Sequence, residues 1–446
     1  MQLVEKHIIK KSDDRFAILD SVCFRSKNLY NATLYAVRQH FFETKKYLSY
    51  GCVEDTFKKN NQTDYLALPR KISQQTMKMV DKNFMSFFGS LRSKKAGTND
   101  KPVKLPHYLH KEKGRYLATY TNQAISMKWL NEGIIKLSGE EVFIKMKHTI
   151  DLKRVCVGKD KQGKDKYDYQ TSVQQVRVVP KGNHYVVEII YDIQEPKALP
   201  DNQRYCSIDI GVDNLAAVGS NVLPSFIVNG RPVKSVNHYY NKKLAELKSQ
   251  IETRHDKKSS NRIQRLTFKR NQKIDDYLHK SSRYVINQLV SNHINTLIVG
   301  KNKEWKQEVN LGKKNNQNFT QIPHARFIEM LSYKAKLEGI NVIVQEESYT
   351  SKCSFLDNEV IGKHEEYAGK RIKRGLFRSA QGLLINADVN GALNILKKAV
   401  PNATIADGIK VCSMPLFINI PLNRGVSINI KDIYSDTYTR SGVGGV

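Results

Sequence analysis

The chain of 446 residues is long enough for more than one domain, and its hydrophobic content of 40% is typical of globular proteins with a buried core. Lysine and arginine number 73 against 43 aspartates and glutamates, which gives a formal net charge of +30. Such an excess favours a polyanionic partner, and nucleic acid is the first candidate. Because the basic runs are spread along the chain, the pattern favours contact with a long polyanion over one local patch.

The cysteine pattern and the hydropathy exclude several classes of protein. The six cysteines contain no CxxC pair, which argues against a zinc ribbon and a disulfide framework and suits a reducing compartment. The N-terminus lacks the apolar segment of a signal peptide, and no apolar run is long enough to cross a bilayer. The sequence therefore predicts a cytoplasmic protein with no membrane partner.

The first half of the chain predicts a helical lobe inserted in a small β-domain. Residues 1–15 begin with a short alternating strand, and residues 16–97 place apolar residues three and four apart, as helices do. Residues 98–200 then alternate in short apolar segments separated by Gly, Lys and Asp, which indicates a small antiparallel sheet or barrel. We expect the first strand to join that barrel.

The order of elements changes at residue 201. Three strands are followed by a very basic helical hairpin at 237–290, and strands then alternate with helices up to residue 400. This order is typical of the ribonuclease H fold, a mixed sheet flanked by helices. Residues 401–446 are predicted to form a weakly ordered C-terminal tail.

Carboxylates occur at three points of this second region. Asp209 lies at the centre of an apolar strand, where an unpaired buried carboxylate costs several kcal/mol. Glu346 and Glu347 end the apolar run VIVQ, and Asp388 begins a helix, where an N-cap is its structural alternative. If they converge on one edge of the sheet, they form an oxygen-only site for two Mg²⁺ ions that hydrolyse a phosphodiester.

Several segments, in order and spacing, resemble TnpB, the RNA-guided nuclease of bacterial insertion sequences. They are SIDIGVDNLAAV, RNQKIDDYLHKSSRYVI, LSYKAKLEGINVIV, SYTSK and ADVNGALNI, and LYNATLY, LPHYLHKEKGRYLATYTNQAIS and GIIKLS resemble its recognition and wedge regions. The resemblance covers the chain to about residue 400. It implies an α+β multidomain fold, in which a helical recognition lobe (16–97) is inserted in a wedge β-barrel (1–15 and 98–200). A ribonuclease H-like RuvC nuclease domain (201–400) follows.

The resemblance also implies the partners and the metal. They are an omega-type guide RNA bound by a monomer, double-stranded target DNA, two Mg²⁺ ions and a bacterial, nucleoid-associated location. Asp209 matches the first RuvC carboxylate and Asp388 the third.

The second RuvC carboxylate is where the sequence departs from the family. Relatives place a glutamate at the end of the strand that reads TLIVG here, and this chain has Gly300 at that position. The strand VIVQ lies one strand further out in a ribonuclease H sheet, so its carboxylate must reach about 4.8 Å further. Glycine leaves that path open. We predict that Glu347 is a relocated ligand, by its match to variant relatives, with Glu346 as the alternative.

A zinc ribbon formed by two CxxC pairs is also missing. The corresponding segment, residues 350–385, contains Cys353 alone and His364 without a partner, so four zinc ligands cannot be assembled. We expect a lid insert without zinc that is held by apolar packing.

Two groups of residues are candidate nucleic-acid contacts. Basic side chains of the hairpin and the lid insert suit the phosphates of a guide–target heteroduplex, and a polar and aromatic group suits the target-adjacent motif. For the aromatic residues, packing in the barrel is the alternative. The candidates are Tyr116, Thr121, Asn122, Gln123, Arg262, Arg265, Lys269, Arg270, Lys370, Arg371, Lys373 and Arg374.

The sequence thus predicts a Mg²⁺-dependent, RNA-guided DNA endonuclease of a transposable element that cuts beside a short adjacent motif. A compact type V CRISPR effector has nearly the same motifs and stays open as an alternative. A catalytically inactive RNA-guided DNA-binding repressor is the other, favoured if the second carboxylate is lost at Gly300.

Overall fold

The computed structural model describes residues 1–147, 152–159, 165–255, 259–302, 312–403 and 415–422. The chain divides into two compact units, Met1–Gln194 and Glu195–Val446, called here the N-terminal and C-terminal units. Both units combine helices with β-strands, so the predicted mixed α and β multidomain class is confirmed.

The N-terminal unit places most of its helices between its first two strands. Pro69 is the N-cap of the second long helix, where a proline is tolerated because the first N–H groups of a helix have no intrahelical acceptor. The elements are β1 (Gln2–Lys10), α1 (Arg15–Thr44), α2 (Tyr50–Lys59), α3 (Thr63–Leu66), α4 (Arg70–Lys95), β2 (Ala118–Thr121), α5 (Met127–Asn131), β3 (Ile134–Lys136), β4 (Phe143–Lys145), β5 (Leu152–Lys159), β6 (Asp165–Thr171), β7 (Val173–Pro180) and β8 (His184–Asp192).

A four-stranded sheet forms the β-part of this unit. Its strand order is β1-β8-β7-β2, while β3 pairs with β4 and β5 with β6. The first strand lies antiparallel to β8 over its whole length, with Gln2 opposite Asp192. Val176 of β7 and Val187 of β8 are fully buried in one core with Leu19 of α1, so the helices cover this sheet.

The C-terminal unit contains a second, larger sheet. Its elements are β9 (Tyr205–Asp209), β10 (Asn214–Ser220), β11 (Phe226–Asn229), α6 (Arg231–His255), α7 (Asn261–Ser291), β12 (Thr296–Gly300), α8 (Lys313–Gln321), α9 (His324–Leu337), β13 (Asn341–Gln345), β14 (Lys370–Lys373), β15 (Leu376–Arg378), β16 (Leu384–Asn386), α10 (Ala387–Ala399) and β17 (Leu416–Ile418). The basic helical hairpin begins at Arg231, the first residue of α6, and not at residue 237 as predicted. Val233, in the first turn of this helix, is fully buried.

The six strands of this sheet run in the order β13-β12-β9-β10-β11-β17. Strands β9, β10 and β11 are antiparallel, while β12 is parallel to both β9 and β13. Residues of α7 and α9 share a core with one face, and residues of α10 pack on the other. This arrangement puts β12, which ends in Gly300, between the strands that lead to Asp209 and to the two glutamates.

The prediction of a weakly ordered tail is wrong for residues 416–418. They form β17, which pairs in parallel with β11, and Ile418 is only 3% exposed. A three-residue strand is too short to show periodicity, and its partner lies far away in the sequence, so the pattern gave little signal. Within the predicted tail, residues 404–414 and 423–446 lie outside the described residues.

Among the described residues, none of the helices combines the length and the apolar character that a membrane crossing requires.

Candidate active site

Asp209 is the last residue of β9, not its centre as predicted. Its carboxylate lies against α10 at Gly391, where a Cβ atom would be only 2.8 Å from Asp209 Oδ2. Burial, as the largest cause, and the negative charges of Glu347 and Asp388 together raise the pKa of Asp209 to about 8. This half-buried acid thus has two other carboxylates close enough to influence its proton.

Asp388 lies in the first turn of α10 and is not the N-cap of that helix. Asn386 takes that role, because its side-chain oxygen accepts hydrogen bonds from the backbone N–H groups of Asp388 and Val389. The Asp388 carboxylate instead accepts from Asn214 Nδ2 at 2.5 Å and from Arg371 Nη2 at 3.2 Å. The N-cap role, which was the structural alternative for Asp388, is therefore excluded because Asn386 occupies that position.

Glu347 turns inward over Gly300. A Cβ atom at position 300 would be 2.7 Å from Glu347 Oε2 and 2.6 Å from Ile395 Cδ1, so only glycine leaves room for this carboxylate. Asn302 Oδ1 accepts a hydrogen bond from the backbone N–H of Glu347 at 3.1 Å and fixes the turn. Burial raises the pKa of Glu347.

Glu346, the alternative, lies outside this group. Its carboxylate binds Lys398 Nζ at 2.6 Å and accepts from the backbone N–H and the hydroxyl of Ser348 at 2.8 and 2.7 Å. These partners lower the pKa of Glu346 to about 2, with Lys398 as the main cause. The side chain is exposed, so the structure does not bring it to Asp209.

Two buried asparagines of α10 hold the turn that follows Glu347. Asn394 Nδ2 donates to the carbonyls of Thr350 and Cys353 at 2.9 and 2.8 Å, and Asn390 Nδ2 donates to Cys353 O at 2.9 Å. The helix that carries Asp388 thereby fixes the segment that carries Glu347. Sequence reasoning missed this role, although two asparagines in an otherwise apolar helix were its signal.

The three carboxylates fit a divalent cation. Asp209, Glu347 and Asp388 offer only oxygen atoms, which Mg²⁺ prefers, and the charges of Glu347 and Asp388 help to raise the pKa of Asp209, as expected for carboxylates gathered at one place. Gly300 and Gly391 leave room for the carboxylates where a side chain would displace them.

The raised pKa of Asp209 predicts how the stability of the metal-free protein depends on pH. The unfolded aspartate titrates near 3.8 and the folded one near 8, so between these values the folded state holds a proton that the unfolded state releases. The contribution of Asp209 to the free energy of unfolding should therefore fall as the pH rises from about 4 to about 8. We expect the Tm in EDTA to fall more steeply in the wild type than in Asp209→Asn, and Mg²⁺ to restore it at pH 8. Equal pH slopes would contradict this.

The chain is similar to several known proteins. Residues 188–306 match the model of the OrfB_IS605 family, a probable transposase, and residues 324–395 match that of the Cas12f1-like TNB domain. A TnpB-like protein of Acidianus two-tailed virus is 25% identical over 416 residues, which is 84% of this chain and 82% of the viral protein. The chain is thus similar to a TnpB-like protein over most of its length. The predicted resemblance is confirmed.

Other relatives of this chain are CRISPR-associated endodeoxyribonucleases. Cas12f2 of a Micrarchaeota archaeon is 25% identical over 50% of this chain and 41% of its own length. Cas12f1 of Sulfoacidibacillus thermotolerans is 25% identical over 54% of this chain and 57% of its own. Thus the chain spans about half the length of these two relatives.

Solved structures of similar proteins include a Cas12f1–sgRNA–target DNA complex, 14% identical with a TM-score of 0.33, covering 88% of this chain and 98% of that one. The mini-RNA-guided endonuclease CRISPR-Cas phi3 is 11% identical with a TM-score of 0.44, covering 91% and 93%.

Two arginines of the lid insert line the cleft that contains Asp209 and Asp388. Strand β14 carries Arg371, which pairs with Asp388, and Arg374 follows the strand and pairs with Asp213. Both line a cleft of about 530 Å³ together with Asp209. Of the four lid residues predicted to bind nucleic acid, these two lie at the acids, while Lys370 and Lys373 are exposed on the same strand.

The hairpin residues divide into two kinds. Arg262, Arg265 and Lys269 are exposed along a groove of about 740 Å³ between α6 and α7. Arg270 is different, because its guanidinium donates to Asn237 Oδ1 at 2.8 Å and to the carbonyl of Gln321 at 2.9 Å. These bonds tie α7 to its neighbours and give Arg270 a structural role. Arg270 also lines the groove, so its phosphate contact stays a prediction.

In the N-terminal unit, the Tyr116 side chain packs against Tyr30 and does not project into solvent. Its ring centroid is 4.4 Å from that of Tyr30, and burial raises its pKa to about 12. The packing alternative is therefore correct for this tyrosine. Thr121 ends β2, and Asn122 and Gln123 are exposed on the turn after it, where they stay candidates for contact with nucleic acid.

The lid brings Cys353, Glu359 and His364 together, which the sequence did not predict. Their possible ligand atoms lie within 4.8 Å of one another. However, Glu359 accepts from the N–H groups of Ser354 and Ala368 at 2.6 and 3.0 Å, and His364 Nε2 lies 2.7 Å from Val360 O. Glu359 and His364 thus already have backbone hydrogen-bond partners.

The absence of zinc stays a prediction. Three protein ligands are fewer than the four of a structural zinc site, and burial raises the pKa of Cys353, which favours the thiol over the thiolate ligand. We expect far less than one zinc per chain by plasma emission spectrometry of protein purified without chelators. One zinc per chain that is lost in His364→Ala would contradict this.

Proposed function

We propose that this protein is a guide-RNA-directed DNA endonuclease of a transposable element, which hydrolyses target DNA next to a short adjacent motif. The observation that carries the proposal is the Glu347 carboxylate over Gly300, which adds a third acid to Asp209 and Asp388. The TnpB-like relative and the endodeoxyribonuclease relatives support the same reading.

The proposal assigns a role to each part of the chain. The strand order β11-β10-β9-β12-β13, antiparallel then parallel, supports a ribonuclease H-like RuvC domain at 201–400. Residues 350–385, with β14, β15 and β16, would be its lid. In the N-terminal unit, the helices of 16–97 would form the recognition domain and the sheet that contains β1 and β8 the wedge barrel.

Asp209, Glu347 and Asp388 would hold two Mg²⁺ ions, which when bound supply an activated water and stabilise the leaving oxygen of the phosphodiester. Asp209 must lose its proton to become a ligand, and its raised pKa makes this step dependent on pH. Arg371 balances the charge of Asp388 and, being exposed in the cleft, is placed to exchange that partner for a DNA phosphate.

The proposal has a direct test. The protein purified with its bound RNA should linearise a plasmid that carries the matching target in Mg²⁺ and leave it intact in EDTA. Sequencing of the bound RNA should give one guide with a constant scaffold. Protein that carries no specific RNA, or cleaves without a match, would refute guide dependence.

The same experiment separates the alternatives. Repeats flanking the guide would indicate a type V CRISPR effector, whereas a transposon end would indicate the proposed origin. Tight binding to an intact plasmid would indicate the repressor. The three gathered carboxylates favour an active nuclease over the repressor.

Asn214 is a positioning residue for Asp388 in this proposal. Asn214→Ala removes the hydrogen bond to Asp388 Oδ2, so we expect cleavage to slow by about 10 to 100-fold, as for other groups that orient metal ligands. Raising the Mg²⁺ concentration should recover part of the rate in a titration of single-turnover cleavage. Asn295→Ala, which removes an exposed bond to Pro200 O, is the control. Equal rates for both variants would exclude the role.

A further inference from the structure

Phe417 is a large aromatic residue left exposed in a charged cleft. Its side chain is 54% exposed, and it lines the same cleft of about 530 Å³ as Asp209, Asp388 and the lid arginines. Exposure of a phenylalanine to water is unfavourable relative to its burial, so packing within the described chain does not explain its position.

The strand register aims Phe417 toward the acids. Asp209 is paired with Ala217, Ala217 with Ile227, and Ile227 with Phe417. Residues directly opposite each other on neighbouring strands project from the same face of a sheet. Since Asp209 faces α10, Phe417 projects from that face too, three strands away and so about 14 Å along the sheet.

The strand that presents Phe417 is firmly attached. Leu416 N donates to Ser225 O at 3.1 Å, and Asn229 Nδ2 donates to Asn419 Oδ1 at 2.8 Å. Ile418 is buried on the opposite face. The ring therefore projects from a fixed backbone into the cleft.

The cleft combines three kinds of group that suit one class of ligand. Carboxylates offer a place for cations, Arg231 and Arg374 offer positive charge for phosphates, and Phe417 offers an aromatic face. Exposed aromatic rings beside basic groups are how proteins hold single-stranded nucleic acid, because every unpaired base has a face to stack. A base inside a duplex is already stacked and cannot use the ring.

We propose that Phe417 stacks on an unpaired base of the DNA strand that is cut, close to the phosphate held at Asp209 and Asp388. The inference rests on the proposed endonuclease function and adds to it a nucleobase subsite. Stacking at a fixed distance from the acids would set which phosphate reaches them, so Phe417 would position the cut.

Photo-crosslinking tests the subsite without requiring cleavage. Single-stranded DNA oligonucleotides with 5-iodouracil at successive positions are irradiated with the RNA-bound protein in EDTA, and the crosslinked peptides are identified by mass spectrometry. We expect one position to crosslink at Phe417. The crosslink should vanish in Phe417→Leu and persist in Leu416→Ala, whose side chain is 43% exposed on the other face of the same strand. No crosslink at Phe417 in the wild type would overturn the proposal.

Cleavage kinetics give the second measurement. Because stacking on an aromatic ring stabilises a bound base, we expect Phe417→Leu to slow cutting of the same strand at least about fivefold. The rate of Phe417→Trp should be close to that of the wild type. An abasic site at the crosslinked position should slow cleavage by the wild type as much as the Phe417→Leu substitution does. The same abasic site should not slow cleavage by Phe417→Leu any further. Unchanged Tm values would show that the variants fold.

The two proposals fail in different ways. If the wild type cuts DNA and Phe417→Leu cuts it equally fast at the same phosphate, the subsite is refuted and the endonuclease stands. If the wild type cuts nothing, the endonuclease is refuted, and the crosslink alone decides whether Phe417 binds a base.

Discussion

Replacing Glu347 with alanine is expected to slow DNA cleavage at least about a thousandfold while leaving the binding of RNA and target DNA unchanged. The variant removes one of the three carboxylates that would hold the cations, and the stabilisation that such ions supply is worth several kcal/mol, at 1.36 kcal/mol per tenfold in rate. Single-turnover cleavage measures the loss, and a mobility-shift assay with the same protein measures binding.

Glu346→Ala is the matched control, since it removes the neighbouring carboxylate from the same turn. Glu346 is exposed and bound to Lys398, so its loss should change neither cleavage nor binding measurably. Full activity in Glu347→Ala with a dead Glu346→Ala would move the ligand to the alternative position. Full activity in both variants would refute the relocated carboxylate.

The sequence predicted those candidate residues of the acidic site whose signal lies within their own strand or helix. Asp209 was recognisable because a carboxylate interrupts an apolar strand, and Gly300 because a glycine ends a strand where relatives have a glutamate. Strand periodicity alone could not separate Glu346 from Glu347, since β13 ends at Gln345 and both glutamates follow it; the match to variant relatives favoured Glu347. Asn302, 45 residues earlier in the chain, fixes the turn that sends Glu347 inward.

Other features depended on contacts between distant segments. Arg270 resembled the other hairpin cations by sequence, and only its bonds to Asn237 and Gln321 show a structural role. Strand β17 is stabilised by pairing with β11 and not by its own propensity, so its three residues resembled a loop. Local patterns predict elements, but the partner of each polar side chain depends on the assembled fold.

A second prediction with a large expected effect concerns Gly300, which tests the geometry without changing any acid. In Gly300→Ala the new Cβ would lie 2.7 Å from Glu347 Oε2 and 2.6 Å from Ile395 Cδ1, and Ile395 is fully buried. The carboxylate must therefore move, and a displacement of about 1 Å at a catalytic group costs about a hundredfold in rate. Single-turnover cleavage measures this loss, and Tm checks the fold. Gly362→Ala, where a Cβ meets nothing within 4 Å, is the control.

The double variant Gly300→Glu with Glu347→Ala tests whether the two positions are exchangeable. A glutamate at position 300 starts from β12, directly beside the Asp209 strand, and grows into the space that the Glu347 carboxylate leaves. We expect this variant to cut faster than Glu347→Ala alone, and Ile395→Val, which shortens the crowding side chain, to increase the gain. If the folded double variant cuts no faster than Glu347→Ala, the two positions are not equivalent and the relocation hypothesis fails, even if Glu347 itself is essential. Recovery of cleavage would mean that the segment after β13 supplies the carboxylate because β12 ends in a glycine and has none to offer.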